Sequence, residues 1–561
     1  MTEYRWLKSY DKDVPASLEP YPQKTHIDYL DEAVKERPDA TMIFFEKRKM
    51  TYAEIQRLSD EFAAALHGRG VKKGDRVALI MPNCPQAIIC RWGAWKAGAS
   101  VVHLNPLYTE AEMEYAFKDC LAETVVVLSP YYNLVKKIQP RTCLKLVICT
   151  GIKEYLPTLL GLLFTLAKEK KEGHYVEIEK GDIWLQDLLK KYRGAKRPDV
   201  KVLPEDHALI LFSGGTTGLP KGVIGTHHSQ VITGLQFYHW FKKYIEPYWD
   251  AVAAVLPFFH AFGTYAVLAT SVVAHLPISL IPNPRDLNDV IATIHRDKPA
   301  FFPAVPAMYI SLLEHPAVKE GKVDFKSMKM CVSGAAPLLA ETKRRFEELT
   351  GGRIVEGYGI TEATMAGIVS PYEGKYKEKS IGLPLPDVVV RIGDLQTGEG
   401  DLPSGKEGEI IMKAPQLMAG YFNRTEETKE MLREGWLYTG DVGYMDDDGY
   451  VFITSRKKDL IKTSGFQVWP REIEEVISSH PAVAEVSVAG IPDARQGEAV
   501  KAWVVLEPGQ TATPAEIKAW SREKLAAYKV PRFVEFRDKL PKTMVGKVLR
   551  RVLVEEESPH K

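Results

Sequence analysis

Short apolar runs alternate with amphipathic segments along most of the chain. The runs at 76–81, 124–128 and 145–149 are dominated by aliphatic residues, a pattern typical of strands buried on both faces of a parallel sheet. The segments at 53–69 and 110–120 repeat their apolar residues at helical spacing. Strands that alternate with helices in this way predict an α/β fold built from doubly wound sheets.

The last hundred residues have a different pattern, in which short strands lie between charged, amphipathic helices. Helical spacing is present at 472–479 and 514–525, and short apolar runs lie at 486–488 and 500–506. A mixture of this kind predicts a small, separate α+β domain.

A charged segment at 455–459 separates the two regions, directly after a predicted strand at 450–453. Charged connections with few apolar residues are typical of domain boundaries. We therefore predict a large N-terminal domain at 1–457 and a small C-terminal domain at 458–561.

The apolar run at 156–167 is followed by Lys168, Lys170 and Lys171. It is too short to cross a bilayer, which requires about 20 apolar residues. Two interpretations remain open. The run is either a helix docked on the domain, or an interfacial patch that contacts a membrane and collects an apolar substrate.

Length and composition indicate a multidomain globular protein. The chain has 561 residues, of which 45% are hydrophobic and 26% charged, and its net charge of +1 gives no reason to expect a nucleic-acid partner. The six cysteines show no CxxC or metal-ligand spacing, so we expect buried free thiols. The first residues lack an apolar signal core. We therefore expect a cytoplasmic protein, either free or peripheral at the inner membrane face.

The stretch from Ser213 to Gly222 combines three hydroxyl residues, four glycines and Lys221. It follows an apolar run at 208–212, which predicts a buried strand that opens into a loop. Glycines let backbone N–H groups approach an anion, and hydroxyls and a lysine add donors and charge, so the loop is suited to phosphate. Because its spacing does not fit the GxxxxGK[ST] pattern, we expect a nucleotide to be bound by another scheme.

Further motifs follow this loop in a fixed order. They are Glu356-Gly357-Tyr358-Gly359-Ile360-Thr361-Glu362, Trp436-Leu437-Tyr438-Thr439-Gly440-Asp441, the segment 455–466, and Pro541-Lys542-Thr543-Met544-Val545-Gly546-Lys547. Together with the loop, this ordered set resembles the adenylate-forming enzymes: acyl-CoA synthetases, luciferases and peptide-synthetase adenylation domains. The resemblance covers about residue 30 to residue 553. Within that superfamily, the segments 105–110, 256–260 and 525–531 most resemble bacterial-type long-chain fatty acid–CoA ligases.

The resemblance implies a two-step reaction and a fold suited to it. A fatty acid carboxylate attacks the α-phosphate of ATP with release of pyrophosphate, and the thiol of coenzyme A then displaces AMP. Mg²⁺ is implied as the metal, and either a monomer or a homodimer is compatible. The large domain is expected to contain a distorted barrel besides its doubly wound sheets. The small domain is expected to rotate between the two half-reactions.

The same resemblance assigns nucleotide contacts to particular positions. Glu362, aided by the Ser213 hydroxyl, is the expected Mg²⁺ ligand, because Mg²⁺ commonly uses few carboxylates plus phosphates. Tyr358 offers a flat face for adenine, and Asp441 can accept both ribose hydroxyls. The full set of expected nucleotide or coenzyme A contacts is Ser213, Gly214, Gly215, Thr216, Thr217, Gly218, Lys221, Gly334, Ala335, Ala336, Glu356, Gly357, Tyr358, Gly359, Thr361, Asp441, Arg456, Lys458, Lys462 and Gly465.

Three residues are the expected catalytic groups: Lys547, His260 and Lys221. Lys547 would stabilise the charge that develops when the carboxylate attacks the α-phosphate. His260 would orient the carboxylate without acting as a base, because a fatty carboxylate is already ionised at pH 7. Lys221 would hold the phosphates that leave as pyrophosphate.

One site cannot hold Lys547 for the first step and admit coenzyme A for the second without rearranging. The resemblance places the hinge of the small domain at Lys458. Gly465 would line the thiol tunnel, where a side chain would block the pantetheine arm.

The residues that line the acyl pocket are the hardest to identify from the sequence. The resemblance suggests a lining of Tyr265, Val305, Pro306, Gly334, Met365 and Ala366. Its small residues favour a medium or long fatty acid. Some fatty acid ligases carry a tryptophan four residues after the histidine, where this chain has Thr264. The absence of an acid between Phe258 and Ser279 argues against an amino acid substrate.

Other functions remain compatible with the same nucleotide motifs. The first alternative is an aryl or hydroxycinnamoyl-CoA ligase, which differs only in pocket shape. A luciferase-like adenylate oxidase and a non-catalytic binding protein are the others. Retention of Lys221, Glu362, Asp441 and Lys547 together argues against the last of these.

Overall fold

The computed structural model describes residues 4–213, 220–365, 367–463, 466–493, 495–543 and 546–557. The strands are β1 Thr41–Phe45, β2 Arg48–Thr51, β3 Arg76–Ile80, β4 Ser100–His103, β5 Thr124–Leu128, β6 Leu146–Thr150, β7 Ile183–Trp184, β8 His207–Ser213, β9 Lys221–Thr226, β10 Val252–Ala254, β11 Ile278–Leu280, β12 Phe301–Ala304, β13 Met330–Ser333, β14 Arg353–Tyr358, β15 Ile368–Val369, β16 Ser380–Pro384, β17 Val389–Gly393, β18 Gly408–Lys413, β19 Gly420–Tyr421, β20 Leu432–Arg433, β21 Trp436–Met445, β22 Val451–Arg456, β23 Ile461–Thr463, β24 Phe466–Val468, β25 Val483–Asp493, β26 Gly497–Leu506 and β27 Phe533–Phe536.

Helices lie between these strands throughout the described chain. They are α1 His26–Glu36, α2 Tyr52–Gly68, α3 Pro85–Lys96, α4 Glu110–Cys120, α5 Tyr132–Ile138, α6 Thr158–Ala167, α7 Leu185–Lys191, α8 His227–Phe241, α9 Thr270–Val273, α10 Leu287–Asp297, α11 Pro306–Glu314, α12 Pro316–Lys319, α13 Ala340–Thr350, α14 Thr425–Met431, α15 Pro470–Ser478, α16 Pro514–Lys524 and α17 Arg550–Glu555. A π-helix, Phe262–Ala269, precedes α9, and short 3₁₀ turns include Thr361–Ala363 and Lys457–Asp459.

Two large sheets form the N-terminal region. One has the order β19-β9-β8-β4-β3-β5-β6-β7 and is parallel from β8 to β7. The other runs β17-β18-β21-β22-β16-β15-β14-β13-β12-β10-β11-β1-β2. It is parallel from β14 to β1 and antiparallel from β14 to β17. The predicted strands at 76–81, 124–128 and 145–149 correspond to β3, β5 and β6.

A smaller sheet, β24-β23-β26-β25 with β27 alongside β26, belongs to the C-terminal region. Its own apolar cluster includes Ile461, Val488 and Ile517, and α15 and α16 accompany it as predicted. The predicted α/β fold, with a large N-terminal and a small C-terminal domain, is confirmed. The chain leaves the large sheet after Arg456 and enters the small sheet at Ile461, the stretch in which we place the domain boundary.

Helix α3 is enclosed along its whole length. All its residues are buried, including the charged Arg91 and Lys96. Lys96 is compensated, because its ammonium lies 2.6 Å from Asp60 Oδ1. Arg91 has no such carboxylate partner among the described residues, and its surroundings are treated below.

Helix α6 covers most of the apolar run at 156–167, and none of its residues is buried. The exposed leucines are Leu159, Leu162, Leu163 and Leu166, at 52–77%. An ion pair joins the segments on either side of the helix, since the Lys153 ammonium lies 2.6 Å from Glu169 Oε1. Across the described residues, no helix has both the length and the apolar content that a membrane crossing demands.

The cysteines largely follow expectation. All six carry free thiols, and five are buried, whereas Cys143 is only partly covered. No group of three or more metal-binding side chains is found among the described residues.

Candidate active site

Two of the predicted phosphate ligands face each other at the base of a hairpin. Ser213 ends β8 and Lys221 begins β9, and they are direct partners in the antiparallel ladder. The Ser213 hydroxyl donates to the Lys221 carbonyl at 3.4 Å. The residues between them that were predicted to bind phosphate, Gly214, Gly215, Thr216, Thr217 and Gly218, lie outside the described residues.

Glu362 is connected to Lys221 through Tyr421. The Tyr421 hydroxyl donates to Glu362 Oε1 at 2.8 Å, and the Lys221 ammonium lies 4.9 Å from the centre of the Tyr421 ring. Burial, with the neighbouring Glu362 carboxylate, raises the pKa of Tyr421, so the phenol keeps the proton that it donates. The turn that holds Thr361 and Glu362 also packs beside β8.

Sequence reasoning missed Tyr421. It lies in β19, which pairs with β9 just after Lys221. No motif marks the residue, because its place beside Glu362 depends on a pairing between strands far apart in the sequence.

Asp441 is enclosed by two donors on its two oxygens. The Tyr358 hydroxyl donates to Oδ2 at 2.6 Å, and Arg456 Nε lies 2.8 Å from Oδ1. Asp441 and Arg456 are direct partners on β21 and β22. Burial and the Asp441 carboxylate raise the pKa of Tyr358. Because each carboxylate oxygen has two acceptor positions, Asp441 keeps capacity for further hydroxyl donors.

A turn of small residues after β13 lies beside Gly357, the residue that precedes Tyr358. Gly334 follows β13, and a Cβ there would lie 2.9 Å from the ring of Phe262 and 3.2 Å from the Gly357 carbonyl. Ala335 has a φ of +70°, in the left-handed region that an alanine rarely adopts. Ala335 and Ala336 are exposed, so this strained turn presents two small side chains to solvent.

The segment after Tyr358 is equally constrained. A Cβ at Gly359 would lie 1.1 Å from the Met365 carbonyl oxygen, so only glycine fits. Glu356, on β14, accepts from the Leu338 backbone N–H at 3.4 Å, and burial raises the pKa of its carboxyl group.

His260 lies in a turn between β10 and the π-helix. Its Nδ1 accepts from the Phe262 N–H at 3.2 Å, which leaves Nε2 to carry the proton of the neutral ring. Burial, followed by the nearby Lys547, lowers the pKa of His260 to about 4. His260 is therefore a neutral donor at neutral pH.

Asn83 fixes the strand that leads into this turn. Its amide donates to the carbonyls of Ala254 and Leu256, both at 2.8 Å, and its Oδ1 accepts from the Phe258 N–H at 2.9 Å. Asn83 was also missed from the sequence, since it lies more than 170 positions from the segment it holds.

Lys547 reaches this centre from the C-terminal region. Burial, with Arg456 as the next cause, lowers the pKa of Lys547 to about 8, while Asp441 and Asp459 act in the opposite direction. The adjacent Gly546 adopts a φ of +77°, and a Cβ there would lie 3.8 Å from Ala307 Cβ on α11. The turn at Gly546 thus lies close to α11 of the large domain.

The other predicted contact residues of the C-terminal region, Lys458, Lys462 and Gly465, do not all lie near Lys547. Lys458 lies near this centre, where burial and Arg456 lower the pKa of its ammonium. Lys462 is exposed on β23, and its backbone N–H donates to Glu498 Oε2 at 2.6 Å. Gly465 lies outside the described residues.

Most of the predicted acyl-pocket residues are enclosed. Tyr265, Pro306, Gly334 and Met365 are buried, and Val305 is partly so. Ala366 lies outside the described residues. Tyr265 Oη lies 2.5 Å from the position that a Cβ of Gly225 would take, so Gly225 gives the phenol its space.

Comparison with known proteins identifies the class. Residues 30–422 match the AMP-binding enzyme family, and residues 472–547 match the AMP-binding enzyme C-terminal domain. The chain therefore belongs to the AMP-binding enzyme family.

Individual relatives narrow the comparison. The chain is 40% identical over 554 residues to a long-chain-fatty-acid–CoA ligase of Bacillus subtilis (strain 168), covering 99% of this chain and 98% of the relative. It is 32% identical over 519 residues to 4-coumarate–CoA ligase 2 of Nicotiana tabacum, covering 90% and 89%.

A solved structure supports the same fold. ATP-bound MatB from Rhodopseudomonas palustris matches with a TM-score of 0.80 and 30% identity, over 95% of this chain and 99% of MatB. Apo MatB, with the same identity and coverage, gives a TM-score of 0.70. The arrangement of this chain is thus more similar to the ATP-bound form.

Proposed function

We propose that the protein is an ATP-dependent fatty acyl-CoA ligase of medium- to long-chain specificity. It converts a fatty acid, ATP and coenzyme A into acyl-CoA, AMP and pyrophosphate through an acyl-adenylate. The observation that carries the proposal is the convergence of Lys547, His260, Asp441 and Arg456 from two domains on one centre, in which Asp441 is buried and the other three are partly buried. Near-full-length similarity to fatty acid–CoA ligases supports the substrate class.

In the first half-reaction, the fatty carboxylate forms a bond to the α-phosphorus and pyrophosphate leaves. No proton has to be removed, because the acid is already ionised. His260 donates from Nε2 and holds the carboxylate in line. Lys547 supplies positive charge where the α-phosphate gains negative charge, in a site shielded from water, where such charge stabilisation is strongest.

The nucleotide is held by residues around the Tyr358–Asp441 pair. Tyr358 and the small residues at 334–336 enclose the adenine, and the segment 356–361 forms one wall of the site. Asp441 accepts from the ribose hydroxyls, while Arg456 neutralises it and approaches the phosphates. Two donors already fix the orientation of Asp441, so the carboxylate is preorganised for the ribose.

Mg²⁺ fits the donor set at Glu362. Hard oxygen ligands in small number are what this ion commonly takes from a protein when phosphates complete its shell. We assign Glu362 and Ser213 as the residues that would hold it. When bound, the ion would neutralise charge on the ATP phosphates, while Lys221 holds the departing pyrophosphate.

For the second half-reaction, we propose that residues 458–561 rotate relative to 1–457 about Lys458. The coenzyme A thiol attacks the acyl carbon, the bond to AMP breaks, and AMP leaves. The rotation removes Lys547 from the centre and brings Gly465 to the thiol path. The greater similarity to ATP-bound MatB supports assigning the present arrangement to the adenylating state.

The decisive assay measures thioester formation on a panel of acids. We expect palmitate and shorter fatty acids to give ATP- and CoA-dependent loss of free thiol with stoichiometric AMP. 4-Coumarate tests the alternative of an aryl-CoA ligase, which is included because the chain is also similar to a 4-coumarate–CoA ligase. Faster turnover of coumarate than of every fatty acid would replace the fatty acid assignment.

We also propose that α6 makes peripheral contact with a membrane surface. Its four exposed leucines form an apolar face, and the cationic residues Lys168, Lys170 and Lys171 follow directly. Lysines beside an apolar helix face favour anionic lipid. Co-sedimentation with vesicles of anionic lipid should fall in a Leu162→Ser/Leu166→Ser variant, and equal sedimentation would end the proposal.

A further inference from the structure

A fully buried arginine lies behind the proposed acyl pocket without a charged partner. Arg91, on α3, is 0% exposed, and one of its nitrogens, Nη2, donates to Thr264 Oγ1 at 3.2 Å. Its Nε and Nη1 have no hydrogen-bond partner in the described part of the chain. The guanidinium also lies 5.0 Å from the centre of the Trp95 ring.

The neighbours of Arg91 do not supply the missing acceptors. His26, His103 and His227 are buried, and burial followed by the Arg91 charge lowers the pKa of His26 and of His103. Burial, with Arg91 among the further causes, lowers the pKa of His227 to about 3. Each of these rings has a nitrogen without a partner among the described residues, as does the Gln230 amide. Each neutral imidazole has one donor and one acceptor nitrogen, but Arg91 Nε and Nη1 make no hydrogen bond to any of them, and no carboxylate is paired to Arg91 among the described residues.

A buried Arg91 that lacks a counter-ion and two of its hydrogen bonds should destabilise the folded protein. A buried charge that lacks both a counter-ion and its hydrogen bonds destabilises a protein strongly. The neighbouring Lys96 shows the usual solution, since Asp60 compensates it. At Arg91, Nε and Nη1 have no acceptor among the described residues, so both nitrogens are available to a bound acceptor.

The cluster adjoins the acyl pocket through two residues of the His260 turn. Thr264, whose backbone N–H donates to the His260 carbonyl at 3.0 Å, contacts Arg91 directly and donates its hydroxyl proton to the Phe258 carbonyl at 2.5 Å. Tyr265 follows Thr264 and is also buried. One helical turn, about 5.4 Å, therefore separates His260 from the residue that Arg91 contacts.

We propose that Arg91 and the cluster around it bind a second carboxylate at the distal end of the acyl substrate. The inference deepens the proposed function and rests on it. The substrate class that it implies is an α,ω-dicarboxylic acid of medium length. One carboxylate lies at His260 for activation, and the other accepts hydrogen bonds from the Arg91 nitrogens that are without partners.

A site of this kind distinguishes substrates by the buried hydrogen-bond donors that each substrate leaves without a partner. A plain alkyl chain that ends in the cluster would displace water without replacing its hydrogen bonds, whereas a carboxylate satisfies them. Discrimination between substrates with and without a required polar group is usually large for this reason.

The test compares decanedioate with decanoate, an acid of the same length that lacks the second carboxylate. kcat/KM for thioester formation is measured for the wild type, Arg91→Leu and Arg91→Lys. Cys90→Ala, a buried change at the preceding position of α3, is the matched control. We expect the diacid-to-monoacid ratio to fall at least tenfold in Arg91→Leu, less in Arg91→Lys, and not in Cys90→Ala. An unchanged ratio in Arg91→Leu overturns the proposal and assigns the cluster to water.

A binding measurement separates this inference from the proposed function. Thermal stabilisation of the wild type by each acid is recorded without ATP or coenzyme A, so it needs no turnover and no variant that folds. A larger rise in Tm with decanedioate supports the Arg91 site, and equal rises contradict it. Failure of every acid to give a thioester would instead reject ligase activity, whatever the binding result.

Discussion

The ammonium of Lys547 acts on the imidazole of His260, although the two residues belong to different domains. Lys547 contributes to the low pKa of His260, and burial is the larger cause. The hairpin that carries Lys547 rests against Ala307, on the helix next to the proposed acyl wall. In the proposed mechanism, formation of the first-step site therefore depends on how the small domain docks.

Lys547→Ala and Gly465→Leu should separate the two half-reactions. Without its ammonium, adenylation should fall about 10²- to 10³-fold, the usual cost of removing one charge-stabilising group, while thioester formation from supplied acyl-adenylate persists. Gly465→Leu should show the reverse pattern. Pyrophosphate exchange and acyl-adenylate consumption measure the two steps.

Lys542→Ala is the control for the first variant. Lys542 belongs to the same hairpin but pairs with Glu485 at the surface, so both half-reactions should be retained. Equal loss of both steps in Lys547→Ala and Gly465→Leu would leave domain rotation without support.

Adenylation should weaken with rising pH as Lys547 loses its proton. The pKa of Lys547 in the unliganded protein is about 8, so the active ammonium is present below that pH and is lost above it. Because kcat/KM reports groups of the free enzyme, its profile for ATP should descend near pH 8. Lys547→Arg keeps its charge to far higher pH; whatever its activity, the same descending limb in this variant would mean that another group titrates.

His260 should act as a neutral donor over the whole working range. Its pKa of about 4 predicts no ascending limb between pH 5 and pH 7 in the adenylation profile. A glutamine can also donate a hydrogen bond, so His260→Gln should retain more activity than His260→Ala. A limb near pH 6.5 that disappears in His260→Gln would show instead that the imidazole titrates in the reaction.

Tyr358→Phe should lower the free energy of unfolding more than it weakens the binding of ATP to the aromatic face. The change removes the 2.6 Å hydrogen bond to the buried Asp441 but keeps the aromatic face. We expect a loss of about 1–3 kcal/mol in the free energy of unfolding, with a modest rise in KM for ATP. Tyr358→Ala should raise that KM much further, because it removes both functions.

Denaturant unfolding and ATP titration check the two effects. Tyr376→Phe provides the comparison. The Tyr376 hydroxyl donates to Glu356 Oε1 at 3.4 Å, and Tyr376 is more exposed than Tyr358. If Tyr358→Phe is no less stable than Tyr376→Phe, the hydrogen bond to Asp441 contributes little.

Tyr421→Phe should change the Mg²⁺ requirement. The hydroxyl of Tyr421 orients Glu362 at 2.8 Å, so its loss should raise the Mg²⁺ concentration for half-maximal pyrophosphate exchange several-fold. The ring, and its contact with Lys221, is retained. A rise in KM for ATP at saturating Mg²⁺, without a shift in Mg²⁺ dependence, would mean that Tyr421 acts through its contact with Lys221 and not through Glu362.

Local patterns predicted the sheets and helices well, because buried strands such as β3 and β5 consist of uninterrupted apolar residues. The residues predicted to contact the nucleotide each lie in a short motif, so the sequence could propose them, and their roles stay predictions. Tyr421, Asn83 and Arg91 could not be found in this way. Each acts through a partner distant in sequence, and nothing in its neighbours distinguishes it from an ordinary aromatic, turn or surface residue.

Strand β22 joins the ribose site to the proposed hinge. Arg456, its last residue, pairs with Asp441, and Lys458 follows only two positions later. In the proposed mechanism, the strand that would hold the nucleotide is also the fixed end of the segment that would rotate. AMP would then stay in place while the small domain exchanges one face for another, and the adenylate would not be released to water between activation and transfer.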